Sequence, residues 1–228
     1  MVVGIAIAIL ITEVRNTKLK KIYQSAILLP FLMSMVILSY IVYALLSAEN
    51  GLVNNSILPL FHIDPIQWYQ KPKYWPAVLI IANCWKGVGY GCLIYIASLI
   101  GIDPSFYEAA RLDGASKWQE ITKITLPSLV PTIITLLLLS IGRIFYSDFG
   151  LFYQVPMNSG VLFPTTNVID TYVYRALIEQ GNISMSSAAG VYQSLVGFCV
   201  VMLSNWIVRR VDTVSYTHLR AHETLANL

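Results

Sequence analysis

Only two charged side chains stand inside the complete apolar runs of this chain: Lys86, in the run 76–100, and Arg143, near the far end of the run 128–146. A cation near the middle of a bilayer costs at least ~2.5–3.5 kcal/mol unless it meets water or a partner. Lys86 lies about ten residues, or ~15 Å, into its run. With Asn83 and Tyr90 it reads in two ways: as the lining of a polar cavity, or as part of a structural ion pair or a side chain snorkelling along a neighbouring helix. Arg143 is nearer the outer surface, where it can meet a solute or pair with Asp148. Other chemistry is thin. Cys84, Cys92 and Cys199 lie in apolar runs without metal-ligand spacing, so they read as small buried hydrophobes. His218 and His222 have the i, i+4 spacing of a metal pair but no third ligand. No glycine-rich loop with its Lys and Ser/Thr is present to cradle a phosphate.

These side chains need spans to position them. The chain is 56% hydrophobic and 12% charged, against the ~25% charged residues of a soluble domain. Its mean hydropathy is +0.64. It reads as an all-α polytopic membrane protein, and a net charge of +3 gives no reason to expect nucleic acid. The apolar start, 2–11, is too short to cross a ~30 Å core and lacks the flanks of a signal peptide, so it reads as the latter part of a membrane helix. Complete spans are expected at 26–48, with Pro30 near its start, and at 76–100, 128–146 and 188–208. In the second, Gly87 and Gly91 have the GxxxG spacing that lets a helix approach closely. Loop chemistry and an aromatic belt fill 49–75, and a short amphipathic helix is expected within 167–180, with Ile169, Tyr172, Val173, Ala176 and Leu177 on one face. Nine Lys and Arg fall in the segments expected inside (Arg15, Lys18, Lys20, Lys21, Arg111, Lys117, Lys123, Arg209, Arg210) and three outside (Lys71, Lys73, Arg175). That bias puts the C-terminus and the stretch 103–127 in the cytoplasm. Residues 1–212 read as one transmembrane domain and 213–228 as a disordered or non-native tail.

The stretch 103–127 is a polar island with seven charges between two spans. Asp103 caps a helix that begins at Pro104 and runs to Leu112. Gly114 offers a left-handed stop. Ser116 and Gln119 form a capping box for a second helix, which Leu126-Pro127 should end. Phe106, Ala109 and Ala110 share a face of the first helix. On the second, Trp118, Ile121 and Ile124 or Thr125 are expected on the packing face, with Lys117, Glu120 and Lys123 opposite. Helices this short do not hold together alone in water, so the hairpin either lies on the bilayer surface or docks a soluble partner.

Glu108-Ala109-Ala110, Gly114, Ile124 and Leu126-Pro127, at these spacings and between two spans, resemble the EAA loop of permease subunits of binding-protein-dependent ABC importers. The wider similarity, in ANCWKGVGYG, 146–154 and VIDTYVYRAL, is to the carbohydrate-uptake class, including aldouronate and oligosaccharide permeases. The resemblance implies a type I importer permease fold with about five of six spans present, in a bacterial inner membrane. It also implies a second permease, two ATPase subunits that bind the ATP, and an external solute-binding lipoprotein. The seven loop residues would then couple to an ATPase, with Gly114 setting the angle between the helices. Asn83, Lys86, Tyr90, Arg143 and Tyr146 become candidates for a sugar path, the tyrosines as stacking platforms or simply as packing.

Two other readings stay open on sequence alone. One is an ABC permease for another solute such as an amino acid or phosphate. The other is a membrane-embedded enzyme or scaffold, although an enzyme should carry carboxylate, His or metal constellations within its spans.

Overall fold

The computed structural model describes residues 1–225 apart from Arg15, with side chains described through Trp206 except Asn205. Arg15, Arg209, Arg210, His218 and His222 therefore lie outside what is described in side-chain detail. Every regular element among the described residues is helical. α1 (Val2–Thr12), α2 (Thr17–Leu32) and α3 (Met35–Leu46) are followed by short π and 3-10 turns. Then come α4 (Trp75–Ile100), α5 (Pro104–Leu112), α6 (Lys117–Glu120), a π segment (Ile121–Thr125) and α7 (Leu126–Gly142). α8 (Phe149–Gln154), α9 (Phe163–Thr166), α10 (Ile169–Ile178) and α11 (Ile183–Leu225) complete the chain. α10 falls within the stretch expected to be helical, and its Ala176 is buried.

Three helical stretches are long and apolar enough to cross a membrane, Pro72–Ile100, Lys117–Gly142 and Ile183–Ser204, and a fourth if α2 and α3 are taken together. Only 11% to 22% of the residues in their apolar windows are buried within the chain. Such long apolar faces need lipid or partner helices to cover them. Cys92 is buried as expected, whereas Cys84 and Cys199 are exposed on these helix surfaces.

The chain forms two compact units, Met1–Ile134 with Asp148–Thr171, and Thr135–Ser147 with Tyr172–Leu228. In the first, α4 packs on α1 and α2, and α3 packs on α8. Leu38, Val42, Leu46, Trp75, Leu79, Leu151 and Val155 make its core. The segment between α3 and α4 is held to this core by side-chain hydrogen bonds. The Trp75 indole donates to the Trp68 carbonyl at 2.9 Å, and the Trp68 indole donates to Asn54 Oδ1 at 2.9 Å. Asn54 is buried and also bonds both backbone groups of Ile66. In the second unit, Gln193 of α11 donates to the Phe145 carbonyl at 2.6 Å. A Cβ on Gly197 would lie 3.5 Å from the Tyr146 ring, which packs on that glycine.

Three sequence expectations are corrected here. The span expected at 26–48 is broken: α2 and α3 meet at 95°. Pro30 sits in the last turn of α2 rather than near the start of a span. The Ser34 hydroxyl accepts from Ile37 N–H and starts a new helix, so a polar cap outcompetes continuation through the proline turn. Second, Leu126-Pro127 does not end its helix. The π segment in front of it shifts the bonding to i→i−5, with Leu126 N–H donating to the Ile121 carbonyl. That wider turn accommodates a proline ring that would otherwise strike the carbonyl four residues back. The helix therefore runs on from Lys117 to Gly142, four residues short of the expected end at 146. Third, the close helix approach is at Gly89, not at Gly87 and Gly91. A Cβ on Gly89 would come within 2.1 Å of the Ile27 carbonyl oxygen, while one on Gly87 or Gly91 would meet nothing within 4 Å. Three glycines alternate along one helix, and their spacing alone does not say which faces the neighbour.

Candidate functional site

The hairpin begins as its capping residues dictate. Asp103 Oδ1 accepts from Ser105 N–H at 2.9 Å, and this holds the Asp103 carboxyl below the usual range. α5 ends at Leu112, and the chain turns at Gly114, whose φ of +77° is the left-handed conformation a glycine adopts without steric cost. Ser116 and Gln119 then make the full capping box. Two short helices are thus set at a fixed turn by local chemistry alone.

What joins them was not read from the sequence. Glu120, expected on the solvated face, is 3% exposed. Arg111 Nε of α5 donates to its Oε1 at 2.9 Å, and Lys117 Nζ donates to its Oε2 at 3.0 Å. Arg111 first, and Lys117 second, hold the Glu120 carboxyl below the usual range, and Glu120 raises both cations in return. The Tyr107 and Thr125 hydroxyls meet at 3.0 Å beside this cluster. Lys117 reaches further, to Glu13 after α1, at 3.1 Å. A carboxylate nine residues from one cation and three from another carries the signal, but helical periodicity places it on the charged face and hides it.

Burying Glu120 turns the apolar side chains outward. Trp118 is 72% exposed, Phe106 61% and Leu112 89%, so Trp118 stands opposite the packing face assigned to it. Of the coupling residues, Ala110, Gly114 and Ile124 meet around a hollow of about 350 Å³ in the crook of the hairpin. Glu108 and Ala109 are exposed on α5 outside that lining, and Leu126 and Pro127 lie further along the second helix.

Asn83, Lys86 and Tyr90 lie along α4 in the first unit. Lys86 Nζ donates to the carbonyls of Phe31, at 3.1 Å, Pro30, at 3.5 Å, and Met33. It therefore caps the C-terminal end of α2, where carbonyls lack partners and the helix dipole is negative. Main-chain carbonyls of a neighbouring helix, rather than a carboxylate, are thus the partners of this cation within the chain. Phe31 stacks on Tyr90 at 5.0 Å, with Lys86 Nζ 6.0 Å from the Phe31 ring centre. Asn83 is exposed and Lys86 half-buried. A Lys86→Met variant is expected to lose thermal stability by about 1–2 kcal/mol, since partly exposed carbonyls at the end of α2 lose a charged donor. Unfolding of the purified protein with and without the substitution measures this, and an unchanged midpoint refutes the capping role.

Arg143 and Tyr146 belong to the second unit, where both are exposed. Asp148, considered as a partner for Arg143, uses its carboxylate to accept from Leu151 N–H at 3.1 Å and so caps α8. Among the described residues, no group of three His, Cys, Asp or Glu side chains is placed to hold a metal ion.

Residues 2–213 match the family model of the binding-protein-dependent transport system inner membrane component. The chain belongs to this family. It is 34% identical over 213 residues to the polygalacturonan/rhamnogalacturonan transport system permease protein of Bacillus subtilis, covering 91% of this chain and 64% of that protein. The chain thus spans somewhat less than two thirds of that relative's length. Among solved structures it is similar to a bacterial ABC transporter involved in import of the acidic polysaccharide alginate, with a TM-score of 0.85, 33% identity, and coverage of 92% of this chain and 72% of that one. An alginate transporter in complex with its alginate pentasaccharide-bound periplasmic protein matches with the same figures. Family membership makes this an inner-membrane component of the transport system, with the fold of an ABC importer permease.

Proposed function

We propose that this chain forms part of the membrane path of an ABC importer for a sugar or oligosaccharide, with uronate-containing chains favoured. The hairpin 103–127 couples that path to a partner ATPase. The observation that carries the coupling is the hairpin's combination of a locked interior and an apolar exterior. Arg111, Lys117 and Glu120 fix its two helices together, leaving Phe106, Leu112 and Trp118 exposed. An apolar surface held rigid by buried charge suits docking into a groove of another protein, because little ordering entropy remains to be lost on binding. The alginate and polygalacturonan names of the relatives support the acidic sugar class. The partners proposed are a second permease, two ATPase subunits that bind the ATP, and an external solute-binding lipoprotein. The hairpin and the C-terminus face the cytoplasm, as the excess of Lys and Arg in those segments favours.

Leu112→Arg tests this with little risk to folding, since the side chain is 89% exposed. In the reconstituted importer the substitution is expected to cut ATPase association and transport roughly tenfold or more, as loss of an apolar anchor does at an interface. The melting temperature of the permease should stay unchanged. Full association with normal transport defeats the docking role.

A further inference from the structure

The second unit contains a cavity of about 430 Å³ with a mixed lining: Thr135, Arg143 and Ser204 are polar, and Leu138, Leu139 and Val201 are apolar. It lies between the end of α7 and α11, two elements of the same unit. Its size is within the range of small-ligand sites. The position of Arg143 is fixed from behind. Tyr146 N–H donates to the Arg143 carbonyl at 2.9 Å, Gln193 bonds Phe145, and Tyr146 packs on Gly197 of α11.

The Arg143 guanidinium has no hydrogen-bond or ion-pair partner among the described residues, and nineteen uncharged residues separate it from the preceding charge, Lys123. Lys86, the other span cation, is already taken up by three carbonyls. A guanidinium at the edge of hydrocarbon, open to a cavity, calls for an oxyanion. Its planar fork matches a carboxylate in a bidentate pair. The hydroxyl groups of Thr135 and Ser204 suit sugar hydroxyls, and the leucines and Val201 suit the C–H face of a pyranose ring.

We propose that this cavity is a carboxylate-selecting station on the transport path, in which Arg143 holds the uronate group of an acidic oligosaccharide. The proposal rests on the importer reading above.

The test uses the complete importer in proteoliposomes with saturating, sugar-loaded binding protein. Uptake is compared for an oligogalacturonate and its methyl ester, which differ only in charge. Arg143→Gln is expected to slow uptake of the acid by about ten- to a hundredfold, the worth of a charged hydrogen bond, while changing the ester little. Arg143→Lys should restore most of the acid rate. The inference is overturned if acid and ester slow equally, if the Lys variant is as slow as Gln, or if neither sugar is affected. The last result is expected if the guanidinium serves lipid phosphate instead. If the wild-type importer carries neither acidic nor neutral sugars, the proposed function itself fails, a result separate from loss of selectivity alone.

Discussion

Gly89→Leu uncouples α2 from α4 and gives the largest stability loss of any single substitution in the spans. A Cβ at residue 89 would overlap the Ile27 carbonyl oxygen at 2.1 Å and come within 3.1 Å of Leu28 Cα. Both obstacles are backbone, so no side chain can swing away. Overpacking of this kind costs roughly 1–3 kcal/mol, and more where the main chain must move. Separating the helices also carries the Lys86 ammonium away from the end of α2, adding the cost of uncapped carbonyls. Gly87→Leu and Gly91→Leu are the controls, because a Cβ at either position meets nothing within 4 Å. Thermal unfolding of the three variants in detergent should show a clear drop for residue 89 alone. Equal shifts for all three would mean that α4 packs on α2 through a different face.

The second large effect is expected at Glu120. Glu120→Leu leaves Arg111 and Lys117 without their shared carboxylate and frees the two helices of the hairpin. Arg111 and Lys117 are each 56% exposed and turn to water when Glu120 is lost, so the damage is the loss of the ion pairs and hydrogen bonds that tie α5 to α6. Transport is expected to fall on the order of tenfold or more, with ATP hydrolysis continuing but no longer responding to loaded binding protein. Transport and hydrolysis falling together, in fixed ratio, would count against a coupling role.

The pH dependence has a defined sign. The Glu120 carboxyl is lowered in the folded hairpin, so its contribution is fully present above the unfolded carboxylate value near ~4.3 and is lost as pH falls below it through the folded value. The Lys117 and Arg111 values are raised, so their contributions hold below the unfolded values and fade only as pH rises beyond them, above ~10 for Lys117. The protection factors of the hairpin amides, that is, exchange rates taken relative to the intrinsic base-catalysed rate at each pH, should therefore stay flat from about pH 5 to 10 and fall in acid. Glu120→Gln should remove the acid limb.

The sequence carried the parts of this structure that depend on near neighbours. Asp103, Gly114, Ser116 and Gln119 specify their caps and turn through contacts within about five residues. The apolar runs mark the spans by composition. What sequence did not reveal depends on distant partners. Glu120 is buried because Arg111 arrives from another helix, and the face of α4 that α2 contacts is settled by Ile27. Leu126-Pro127 has the ordinary signature of a helix end, which five residues in π register override. The elbow between α2 and α3 was missed because its apolar run reads as continuous. Its cap is a side chain more than fifty residues further on.

That distance bears on how the protein is made. The Met33 carbonyl and its Lys86 donor are 53 residues apart in the chain. Ribosomes add roughly 5–20 residues each second, so Met33 is added some 3–10 s before Lys86, the residue that closes the elbow. Throughout that interval the free carbonyls near Pro30 must be hydrated or held by the insertion machinery. The bend is therefore completed only after α4 is synthesised, which makes the order of translation part of the folding route of this span.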